Sequence, residues 1–71
     1  MAVRREPGRS LTAREREVAA LVAGGLASKQ NAARLLVSVR TVDVHLSAAF
    51  ATTQTGTRTR LAAWWLRQDA R

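Results

Sequence analysis

Ser38-Val39-Arg40-Thr41-Val42-Asp43-Val44-His45-Leu46 reads as a helix cap followed by a short amphipathic helix. Val42, Leu46, Ala49 and Phe50 fall on one side with the spacing of a core stripe. Arg40, Asp43, Val44 and Ser47 fall on the other. An outer face that combines donors, an acceptor and an apolar side chain can read base edges in a DNA major groove.

Working outward, the pattern stays helical. A second helix is expected over about 29–36, capped by Ser28, with Ala32, Leu35 and Leu36 facing inward. The tight connection Val37-Ser38-Val39 leads into the third helix, about 40–52. Two helices joined by so short a turn form a helix-turn-helix unit. Upstream, Thr12 and Glu15 have capping-box spacing and open a first helix. Val18, Leu21 and Val22 are its apolar stripe, and Gly24-Gly25 ends it. Downstream, Thr52 to Thr57 reads as a loop, and Thr57 caps a fourth helix over about 58–68 whose apolar content is Leu61, Trp64, Trp65 and Leu66. The expected fold is all-α, a four-helix helix-turn-helix domain over residues 11–68, unrelated to the winged helix. Residues 1–10, with Pro7-Gly8 and no periodicity, read as a disordered tail or linker.

Composition narrows the function. A chain of 71 residues is one domain, and at this size only about 60% of the unfolded surface is buried. No cysteine and one histidine argue against disulfides and a structural metal. Twelve basic against five acidic residues give a net charge of +7, of which the first ten residues carry +2. A small basic domain favours polyanions, nucleic acid above all; the plain alternative is charge kept for solubility. No apolar run approaches the roughly 20 residues of a membrane span, and no apolar segment follows the basic N-terminus as in a secretory signal, so a cytoplasmic protein is expected. Without a nucleophile–base pair, a metal cluster or a phosphate-cradling glycine loop, neither an enzyme nor a cofactor is expected.

The residues also carry a resemblance. Leu11-Thr12-Ala13-Arg14-Glu15-Arg16-Glu17-Val18, then Gly25-Leu26, Ala32, Leu35, Ser38, Thr41-Val42, His45-Leu46 and Arg58 resemble the LuxR/FixJ-type (GerE-like) helix-turn-helix of bacterial transcription regulators over about residues 10–67. Sigma-factor region 4 shares the opening, and His45 favours the LuxR type. The resemblance implies a domain whose third helix enters the major groove and which dimerises through its fourth helix on a roughly two-fold site in double-stranded DNA. Base-facing positions fall on Asp43, Val44 and Ser47, and backbone-contacting ones on Lys29, Thr41, His45 and Arg58.

Each position has a physical reading. Lys29, the sole lysine, sits in the first turn of the second helix, where ammonium and helix amides can hold a phosphate together; the bland reading is a solvated side chain. Arg40 can reach phosphate or guanine, or simply lie along the surface. Val44 suits a thymine methyl, although a stray exposed valine is common. Asp43 is repelled by phosphates and on base edges accepts from cytosine N4; in the first turn of its helix it also suits the dipole. His45 donates to a phosphate or fills the boundary between core and surface.

Departures from the family pattern cluster. Ala27 stands where a serine or threonine cap is usual, which costs about 1 kcal/mol unless Ser28 takes over. Asn31 replaces a buried isoleucine, and Ala49 a large aliphatic residue. Thr52-Thr53-Gln54-Thr55 replaces a lysine-leucine-glycine-valine run when aligned without a gap. Trp65 stands where a small residue is usual, in a position to fill volume vacated by Ala49 and Thr53. The leading expectation is a DNA-binding domain of a transcription regulator, either free-standing or the output part of a longer protein whose sensor or receiver domain precedes it. The alternative is a protein-interaction module on the same fold, with DNA binding weakened or lost and a partner or dimer surface made by Leu61, Trp64 and Trp65.

Overall fold

The computed structural model describes residues 11–69. Four helices follow in order, α1 (Ala13–Ala23), α2 (Ser28–Leu35), α3 (Val39–Thr53) and α4 (Arg58–Asp69), with no strand among the described residues. The tail expected over residues 1–10 lies outside them.

Local chemistry sets the helix ends. Thr12 caps α1: its hydroxyl accepts from the Glu15 amide at 3.1 Å, and the Glu15 carboxylate accepts from the Thr12 amide at 3.1 Å. Two otherwise unpaired amides are thereby satisfied. At the other end Gly25 turns left-handed at φ 92°, while the Leu26 amide donates to the Leu21 carbonyl and the Gly25 amide to that of Val22. This bond pair closes a Schellman motif, which favours glycine. Ser38 caps α3 by accepting from the Thr41 amide, and Thr57 caps α4 by accepting from the Arg60 amide.

α2 departs from expectation. It begins at Ser28, so Ala27 holds the N-cap position and Ser28 is not the cap. The compensation comes from Gln30, whose side-chain oxygen accepts from the Ala27 amide at 2.9 Å. Leu36 also departs: it follows the helix in a left-handed conformation, φ 60°, and is 90% exposed instead of facing inward. The axes of α2 and α3 differ in direction by 107°, within the range of a helix-turn-helix.

α1 packs against each of the other three helices. Val18 and Ala19 of α1, Val42 and Ala49 of α3, and Leu61 of α4 are fully enclosed. Asn31 is fully enclosed too: its amide nitrogen donates to the Val18 carbonyl at 3.4 Å, while its Oδ1 has no partner among the described residues. At the end of α3, Thr53 is buried and donates back to the Ala49 carbonyl at 2.8 Å. Gln54 follows in a left-handed conformation, φ 58°. Gln54 therefore does the geometric work of the glycine in the expected family run, which supports the ungapped register.

Burial corrects the reading of α4. Leu61 is 0% exposed and belongs to the core, so it cannot form a partner surface. Trp64 and Trp65 are half-buried against that core. Trp64 lines a small cavity with Thr53, whereas the Trp65 ring lies under the Arg16 guanidinium of α1, 5.4 Å from centroid to Cζ. Trp65 thus ties α4 to α1.

Candidate nucleic-acid interface

The core stripe of α3 dictates what its other side presents. With Val42, Leu46 and Ala49 buried, the 100° step between residues turns Arg40, Asp43, Val44 and Ser47 outward, and all four are exposed. Val44 is 59% exposed, an apolar side chain in the middle of a polar strip. Arg40 has no ion pair among the described residues, where the single ion pair joins Arg14 to Glu17.

Thr41 and His45 flank this strip and are half-buried. The Thr41 hydroxyl lies 2.9 Å from that of Ser38 and forms part of the helix cap. It keeps capacity for one more partner, since a hydroxyl has one donor and two acceptor positions.

The starts of three helices meet beside the strip. Ser28 and Lys29 of α2, Val39 of α3 and Arg58 of α4 line one open groove of about 920 Å³. Each is at or next to the first residue of its helix. Lys29 is exposed and Arg58 half-buried. Unpaired amides and aligned dipoles make helix starts attractive to anions, and two cations reinforce them here. Asp43 closes this side: the Ser28 hydroxyl donates to its Oδ1 at 3.1 Å and accepts from the Arg58 guanidinium. Asp43 sits one turn inside α3, not in the first turn, so its support comes from Ser28 and not from the dipole of its own helix.

The structure thus brings Lys29, Arg40, Asp43, Val44, Ser47 and Arg58 to one side of the molecule, with Thr41 and His45 at its border. Sequence reasoning missed Ser28 as the bridge between Asp43 and Arg58, because the contact spans three helices and only its cap-like position was visible. It also missed the outward face of α4, where Thr59, Ala63 and Leu66 are exposed; placing Leu61 inside would have turned Leu66 outward. Among the described residues no cluster of histidine, cysteine or carboxylate side chains could hold a metal, and no single helix is long and apolar enough to cross a membrane.

A short α2, a tight turn and a longer α3 with a free polar strip, braced by α1 and α4, define a helix-turn-helix DNA-binding domain. The model of the luxR family of bacterial regulatory proteins matches residues 9–65, and the chain belongs to that family. Two curated relatives, whose names describe them as HTH-type transcriptional regulators, come from Mycobacterium bovis and Mycobacterium tuberculosis. Each is 44% identical over 61 residues, covering 82% of this chain and 7% of the relative. The chain therefore spans a small fraction of the length of these relatives. No solved structure matches it.

Proposed function

We propose that this domain recognises a specific sequence in duplex DNA as part of a bacterial, cytoplasmic transcription regulator, with α3 as the recognition helix. The observation that carries the reading is the exposed strip Arg40, Asp43, Val44 and Ser47 lying beside the Lys29–Arg58 groove. Base edges would meet Asp43, Val44 and Ser47, while Lys29, Thr41, His45 and Arg58 would hold phosphates and fix the register of the helix in the groove. Arg40 can serve either role.

Binding as a homodimer completes the proposal. The outer face of α4 presents Thr59, Ala63 and Leu66 at helical spacing, narrow enough for a second copy of α4 to approach closely. Each half of a roughly two-fold site would then receive one α3. Chemistry is not part of this reading: the role is binding. The domain would act on its own or as the output part of a longer chain with a sensor or receiver domain. Half-burial of both indoles leaves less for a protein partner to grip, which favours the DNA reading over an interaction module.

Fluorescence anisotropy of labelled random and selected duplexes, at several salt concentrations, tests this. If each copy neutralises about four phosphates, log affinity falls against log salt with a slope of about −3.6. A slope near zero, or equal affinity for every sequence, would refute it.

A further inference from the structure

A carboxylate on a face turned to DNA is a liability unless something anchors it and gives it a task. Asp43 has both conditions met. Its Oδ1 accepts a hydrogen bond from the Ser28 hydroxyl, and that same hydroxyl accepts from the Arg58 guanidinium. The relay polarises the Ser28 hydroxyl toward the acid and restrains its orientation, since charge-assisted hydrogen bonds are the stronger kind. Among the described residues Asp43 uses only Oδ1, and the side chain is exposed. Oδ2 is left as an oriented acceptor without a donor.

We propose that Ser28 and Arg58 position Asp43 to select a cytosine in each half-site, Oδ2 accepting a hydrogen bond from the exocyclic amino group. This inference rests on the DNA-binding reading above. An ionised carboxylate only accepts, and the major groove offers two amino donors, on cytosine and adenine. The adenine amino group stands beside the N7 acceptor, which repels a carboxylate; the cytosine amino group has no acceptor beside it on its own base. Guanine and thymine present acceptors alone from their own edges and are rejected by like polarity. Ser28 acts through Asp43 and is a positioning residue.

The test selects duplexes from a randomised pool with the full chain, then compares base preference, position by position, for wild type, Asp43→Asn, Ser28→Ala and Ser28→Thr. Wild type is expected to enrich cytosine at one position per half-site, with about fivefold to tenfold weaker binding when it is replaced. Asp43→Asn moves that position toward adenine, whose N6 and N7 an amide pairs with. Ser28→Ala flattens the preference there and leaves the other positions as they were, and Ser28→Thr retains it. An Asp43→Asn profile identical to wild type overturns this inference while leaving the DNA-binding reading intact. Equal loss of preference at every position in Ser28→Ala, not restored in Ser28→Thr, assigns Ser28 a general structural role and overturns its positioning role. Failure of wild type to enrich any sequence overturns both readings.

Discussion

Asn31 is a core position that stability alone would not have chosen. Its side chain is fully enclosed, one hydrogen bond is long at 3.4 Å, and Oδ1 is unpaired among the described residues. A buried polar atom left unpaired costs about 1–3 kcal/mol. Asn31→Leu, which keeps the branched four-atom side-chain shape, is therefore expected to stabilise the domain by about 1–2 kcal/mol, raising Tm by several degrees in a thermal melt followed by circular dichroism; an unchanged or lower Tm would contradict this. At this scale the sequence was informative wherever one side chain acts on its own neighbours. Thr12, Glu15, Ser38 and Thr57 all cap where their spacing indicates. Asp43 could not be read in the same way, because its partner is fifteen residues away in the chain.

At the level of elements, existence and type were legible and the ends less so. A start of α2 at Ser28, one residue early, converts Ser28 from cap to bridge, and an end at Leu35 leaves Leu36 outside in a left-handed conformation. The regular step that assigns a residue to a face holds only inside the helix, so a one-residue error at an end moves a side chain off its expected face. The ends of α2 and α3 share a feature that composition hid, since both turn left-handed on residues other than glycine, Leu36 and Gln54. That conformation costs an ordinary side chain about 1–2 kcal/mol, partly offset by the lower unfolded-state entropy relative to glycine. Gln54→Gly is expected to gain about 0.5–1 kcal/mol, measured by urea denaturation at unchanged m-value. Gly25→Ala, at φ 92° with open space around it, should lose about 1 kcal/mol for the same reason read backwards.

For the molecule as a whole, α1 is the element to which the others are fastened: by apolar burial throughout, by Asn31 from α2 and by Trp65 from α4. A domain of this size has only a few kcal/mol in hand, and truncating a buried leucine costs about 2–5. Leu61→Ala should therefore leave much of the population unfolded at 37 °C; a cooperative melt near the wild-type Tm would contradict its place in the core. Assembly is expected to separate from DNA contact. Ala63→Glu on the outer face of α4 should abolish cooperative binding to a two-fold site in gel-shift titrations while a single half-site is still bound. Cooperativity that survives the change would move the dimer contact elsewhere.

Both tryptophans stand on α4, and the chain has no tyrosine. Intrinsic ultraviolet emission is consequently a reporter confined to one helix, far from Val44 in chain order and docked on α1 through the Arg16 pairing. Such emission will register detachment of α4 from α1. Optical titrations aimed at the exposed strip of α3 need an extrinsic dye, and an emission change observed without one signals movement of α4 against the core.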